Sequence, residues 1–238
     1  MNDSDSPPSV VVGIDGSSAA IGAALWGIDE AVARDIPLRL VYAIDPREPI
    51  HRDADSFTHR LATAESSVRY ALMAVEASQQ PVKIEIEIVH AEPVATLTRA
   101  SRSAAMLCIG ASRHYNVTRV GSTALALTEN ARCPVAVLRG YANVVRGTGG
   151  WIAVELDQTP MNDEVVERAV DEARLRGAQL QVLTRDRLDP RLTDVIRRNP
   201  DTDIRTVSVG GNIVGYLNEQ ISSVKLVVVG IGGSVNLL

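Results

Sequence analysis

The chain repeats itself. Val10-Val11-Val12-Gly13-Ile14-Asp15 and Trp151-Ile152-Ala153-Val154-Glu155-Leu156-Asp157 are apolar runs that both end in aspartate, and those aspartates lie 142 positions apart. The offset holds further on, where Asp29-Glu30-Ala31 recurs as Asp171-Glu172-Ala173 and Leu38, Leu40 and Val41 fall on Leu180, Val182 and Leu183. A period this long, with matching apolar and acidic positions, predicts two copies of one domain-sized unit rather than a solenoid of short repeats.

Within the first copy the hydrophobic period alternates between that of strands and that of helices. Val10 to Ile14 is a continuous apolar run, Ala19 to Arg34 is alanine-rich with Leu25, Ile28 and Val32 at helical spacing, and Leu38 to Ile44 is a second strand. From Phe57 the residues Leu61, Ala64, Val68, Leu72 and Val75 form the stripe of a long amphipathic helix that Pro81 closes. Val82, Ile84, Ile86 and Ile88 then alternate with Lys83, Glu85 and Glu87, the pattern of a strand with a wet face or an open edge. Val94 to Ser103 and Ser122 to Ala131 complete the helices, and Met106 to Ile109 and Val135 to Leu138 read as buried parallel strands. Five strands alternating with four helices predict a doubly wound parallel α/β unit.

The second copy carries strands at Trp151 to Leu156, Leu180 to Leu183, Ile204 to Val209 and Leu226 to Val229. Its long helix shrinks to Pro190 to Arg198, and the few residues after Gly230 leave no room for a last helix and fifth strand. The expected organisation is a disordered tail over 1–8, a first domain over 9–140, a linker over 141–150 and a second, truncated domain over 151–238.

Composition narrows the function. The 24 Lys and Arg against 29 Asp and Glu give a net charge of −5 without any basic block, which argues against an electrostatic grip on nucleic acid. The start Met1-Asn2-Asp3-Ser4-Asp5 is unlike a signal peptide, and no apolar run is long enough for a membrane span, so a cytoplasmic protein that binds no membrane is expected. Cys108 and Cys133, the two cysteines, are too few for a disulfide framework and are expected to be reduced and buried. Lys occurs only at Lys83 and Lys225, neither after glycine, which excludes a Walker A loop; the four histidines have no metal-ligand spacing, and there is no G-x-S-x-G elbow.

In open α/β sheets ligands sit beyond the carboxyl ends of strands where strand order reverses, which singles out the loops after strands one and four. Asp15-Gly16-Ser17-Ser18 carries a carboxylate suited to a sugar hydroxyl or an amino group, and the same residues suit a helix cap. After strand four come Gly110-Ala111-Ser112-Arg113 and then Gly121-Ser122-Thr123 opening a helix. There the free N–H groups, two hydroxyls and the helix dipole favour an anion, and Arg113 is a cation within reach of a phosphate.

These residues together resemble the universal stress protein family, and specifically its tandem class with two such domains in one chain. The resemblance covers nearly the whole sequence and rests on Val10 to Ser17, Asp29-Glu30-Ala31, Leu38 to Asp45, and Gly121-Ser122 followed by Cys133-Pro134-Val135. It implies a five-stranded parallel sheet of order 3-2-1-4-5, pairing of domains through strand five, and ATP binding through G-x2-G-x9-G-[ST]. Carried onto this chain, Asp15 and Val41 face the adenosine, while Gly110, Gly121, Ser122 and Thr123 face the phosphates. Arg113 stands where the second glycine is expected, and Gly121 follows Gly110 by 11 residues rather than 13. Gly230-Ile231-Gly232-Gly233 restores the first half of the motif in the second copy.

The expected function is that of a stress-response regulator with weak or conditional binding of ATP or another adenine nucleotide in the first domain. A scaffold that has lost nucleotide binding and works through protein contacts is the alternative. A slow ATPase ranks behind both, because no general base is evident. A homodimer through strand 134–139 is the expected assembly, with a regulatory protein as a further partner.

Overall fold

The computed structural model describes residues 8–47, 55–110, 122–138, 150–157, 162–185, 190–210, 213–220 and 223–228. The chain divides into two compact units, Met1–Val145 and Arg146–Leu238.

In the first unit β1 (Ser9–Ile14), α1 (Ser18–Ala33), β2 (Leu38–Ala43), α2 (Asp55–Ala77), β3 (Ile84–Val89), α3 (Pro93–Ala100), β4 (Ala104–Gly110), α4 (Ser122–Asn130) and β5 (Val135–Leu138) follow one another. The sheet is parallel with order β3-β2-β1-β4-β5. Strand order therefore reverses between β1 and β4. The alanine-rich composition of α1 has a packing reason: a Cβ at Gly27 would stand 3.1 Å from Leu38 Cδ1 and 3.3 Å from Val10 Cγ1, so small residues let this helix lie close on the sheet. The stripe expected along α2 is present, with Ala64, Val68 and Val75 buried.

The open-edge pattern belongs to β3, which is the sheet's edge and is tied to β2 by an ion pair between Glu87 and Arg39. The other edge is β5. Its Val135 and Val137 are only half-buried, less enclosed than the sequence predicts, because among the described residues it has a neighbour on one side alone. Helix α3 stops at Ala100, three residues early, where Ser101 closes it and Ser103 N–H turns back to the Ala100 carbonyl.

The second unit contains β6 (Trp151–Leu156), α5 (Asn162–Arg176), β7 (Gln179–Thr184), α6 (Pro190–Arg198), β8 (Ile204–Ser208), α7 (Ile213–Glu219) and β9 (Val224–Val228). Its parallel sheet runs β8-β7-β6-β9, the same order as the first four strands of the first unit. The described residues give it four strands; Val229 and Gly230 to Gly233 lie outside them, as do residues 1–7 of the tail expected over 1–8 and most of the expected linker. Among the described residues no helix is long and apolar enough to cross a membrane.

The repeat extends to side chains. Glu30 on α1 is fully buried with Arg34 3.2 Å away, and Glu172 on α5, 3% exposed, holds Arg176 at 3.2 Å and Arg168 at 2.9 Å. Leu97 of α3 and Leu217 of α7 both sit in the core on the corresponding face of their sheets.

Candidate functional site

The strand order of the first unit reverses between β1 and β4; Asp15 directly follows β1 and Gly110 ends β4. Ser17 caps α1, its Oγ accepting from Ala20 N–H at 3.1 Å, and Asp15 Oδ1 accepts from Ser17 N–H at 2.9 Å. The two readings of this loop thus divide between its residues: Ser17 is the cap and Asp15 braces it. Asp15 is exposed, and its second carboxylate oxygen has no partner among the described residues. Gly16 between them has φ +81°, and a Cβ there would lie 2.7 Å from Ser67 Oγ on α2, so the turn requires glycine twice over.

Val41 does not reach this level. It is 1% exposed, pairs with Gly13 in the middle of the sheet, and packs with Val11, Leu97, Leu107 and Ile109 beneath α3. The residue on the same face one pleat further, at the end of β2, is Ala43. Ala43 and Gly13 are both partly buried, so the sheet beside Asp15 is lined by the two smallest kinds of residue. The resemblance carried over Val41 rather than Ala43; every second residue of a strand shares a face, and only the register tells which of them stands at the end.

Gly110 closes β4, but the place of its absent side chain is turned toward α1. A Cβ there would stand 2.5 Å from Ala19 C and Ala20 N and 2.9 Å from Ala19 Cβ. Its glycine is required for the first turn of α1 to approach the strand. Ser122 and Thr123 are the exposed first residues of α4, the end of a helix whose first N–H groups lack intrahelical partners and suit an anion. Arg113 and Gly121 lie outside the described residues.

One neighbouring cluster escaped the sequence reading. After β2, Arg47 grips Asp45 with two hydrogen bonds of 3.0 and 2.9 Å and reaches Glu92 at 3.1 Å, while Arg60 of α2 donates to the Asp45 carbonyl at 3.2 Å. Glu92 in turn caps α3 through Val94 and Ala95 N–H. The hydrogen bonds from Arg47 hold the Asp45 carboxyl below its ordinary range, and Asp45 raises the Arg47 guanidinium in return. The signal available was Asp45-Pro46-Arg47 directly after a strand; its effect is to tie the loops after β2 and β3 into one frame. On the same rim Phe57 and His90 meet edge to face, centroids 5.4 Å apart.

Cys108 and Cys133 form no disulfide and are buried, as expected, and burial pushes the Cys133 thiol up to about 11, away from the reactive thiolate. No group of three or more His, Cys, Asp or Glu that could hold a metal occurs among the described residues.

Comparison with known proteins agrees with this architecture. The model of the universal stress protein family matches residues 8–139. Universal stress protein Rv2028c of Mycobacterium tuberculosis strain H37Rv is 43% identical over 243 residues, spanning 96% of this chain and 87% of that protein. Rv2624c from the same strain is 39% identical over 94% of this chain and 86% of its own length. Among solved structures, a universal stress protein from Archaeoglobus fulgidus covers 90% of this chain and 84% of its own with a TM-score of 0.66 at 12% identity, a likeness of fold.

Proposed function

The chain belongs to the universal stress protein family, and from that premise we propose that its first unit binds an adenine nucleotide, weakly or conditionally, and that the protein acts as a regulator rather than as an enzyme. One observation supports this most: the exposed Asp15 directly follows β1, and the exposed Ser122–Thr123 pair opens the helix that comes after β4, the two strands between which the sheet order reverses. Asp15 offers an acceptor for ribose hydroxyls, and the start of α4 offers donors for phosphate oxygens. Ala43 takes the place first assigned to Val41, since a flat base beside Asp15 needs a low wall. Arg113 and Gly121 would complete the phosphate end.

Calorimetric titration with ATP tests the proposal. Asp15→Ala and Ser122→Ala are each expected to weaken binding about tenfold, the loss of one or two hydrogen bonds to a charged or polyhydroxyl ligand. No heat at millimolar ATP would overturn it in favour of the scaffold reading.

The assembly we propose is a homodimer through residues 134–139, the segment that contains edge strand β5. Half-buried Val135 and Val137, on a strand whose neighbour among the described residues is β4 alone, favour pairing with another copy. Light scattering at micromolar concentration would contradict this by reporting a strict monomer.

A further inference from the structure

The second unit carries an ion pair where the first has glycine and alanine. At the 142-residue offset, Gly13 and Ala43 correspond to Glu155 and Arg185. The registers agree, Gly13 lying beside Val41 and Glu155 beside Leu183, so the exchange occurs at one level of the two sheets. It also occurs on one face: a Cβ at Gly13 would stand 3.1 Å from Leu97 Cδ1, and Leu97 and its counterpart Leu217 pack on corresponding sides of their sheets.

In the second unit Arg185 Nη2 donates to Glu155 Oε1 at 3.2 Å, joining β6 to the residue just after β7. The end of β6 is fastened to the start of α5. Asn162, 3% exposed at the start of α5, donates to the Glu155 carbonyl at 2.9 Å and accepts from Asp157 N–H at 3.2 Å. In the first unit the corresponding residue is Ala20, whose side chain can make no such bonds, and Asp15 is left exposed.

On the reading that the first unit binds an adenine nucleotide beside Asp15, we propose that the Glu155–Arg185 pair occupies in the second unit the place of the base and ribose, so that each chain carries one nucleotide site. A neutral heteroaromatic ring entering there would have to displace both side chains and part a charge-assisted hydrogen bond between the exposed Arg185 and the partly buried Glu155. Glu155 also cancels the attraction that Arg185 alone would exert on a phosphate.

Equilibrium dialysis of the full chain against ATP tests this. The wild type is expected to saturate at one ATP per chain, and Ala43→Arg, which places the second unit's cation in the first, is expected to weaken that binding at least tenfold with the circular dichroism unchanged. Glu155→Gly/Arg185→Ala is expected to take up more than one ATP per chain. Saturation of the wild type at two per chain overturns the proposal, and so does a ratio that stays at one in the double variant. Failure of the underlying reading is distinguishable: the wild type then takes up no ATP at millimolar concentration, whereas failure of this proposal alone leaves two sites of which Asp15→Ala weakens one.

Discussion

Asp35 and Gly177 occupy the same position in the two repeats and hold the same left-handed backbone, with φ of +52° and +56°. Each follows the helix after the first strand of its unit, and the bonds around them match. Asp35 N–H donates to Val32 O and Ile36 N–H to Ala31 O, while Gly177 N–H donates to Arg174 O and Ala178 N–H to Ala173 O. This is a Schellman C-cap built twice, once with the residue that adopts it freely and once with one that does not.

The pair makes a stability prediction of opposite sign at the two positions. Asp35→Gly is expected to stabilise the first unit by about 0.5–1 kcal/mol, and Gly177→Ala to destabilise the second by about 1 kcal/mol although no atom lies within 4 Å of the added Cβ. Urea denaturation midpoints check both. Equal midpoints for Gly177→Ala and the wild type would show that backbone strain is not what glycine relieves there.

Gly110 makes a different demand. A methyl group there meets the backbone of Ala19 and Ala20 at 2.5 Å, and a helix cannot yield as a flexible side chain can. Gly110→Ala is expected to cost about 3 kcal/mol or more, at the upper end of overpacking effects, and to lower the melting temperature even without ligand. A variant as stable as the wild type would place the need for this glycine in ligand binding instead.

The Cys133 thiol gives a pH signature. Its pKa of about 11 in the folded chain lies above the ordinary 9.0, so the folded state keeps a proton that the unfolded chain releases. The associated stability is complete below pH 9 and is lost as pH rises from 9 to 11, by about 2–3 kcal/mol in all. Denaturation midpoints at pH 8, 9.5 and 10.5 are expected to fall more steeply for the wild type than for Cys133→Ala. Parallel slopes would contradict it.

Much of this fold is legible in the residues because the repeat supplies its own control. Asp15 and Asp157, Glu30 and Glu172, and Leu38 and Leu180 share an offset, and each pair has the same place in its unit. The site was less legible, for reasons of geometry. Val41 and Ala43 alternate on one face of β2, and nothing in the sequence says which of them is level with Asp15. Gly110 has the composition of a phosphate loop, yet the side on which its side chain is missing belongs to α1. Asp45, Arg47 and Glu92 meet only because β2 and β3 are neighbours, a contact between residues some 45 positions apart that no local spacing encodes.

The most direct measurement is a heteronuclear NMR titration of the full chain with ATP, observing backbone amides. Saturable shifts are predicted at Asp15, Ser17, Ala43, Ser122 and Thr123, with Glu155, Asp157 and Arg185 unmoved. Shifts confined to the second unit, or no saturable shift at millimolar ATP, would contradict a nucleotide seat at the carboxyl edge of the first sheet.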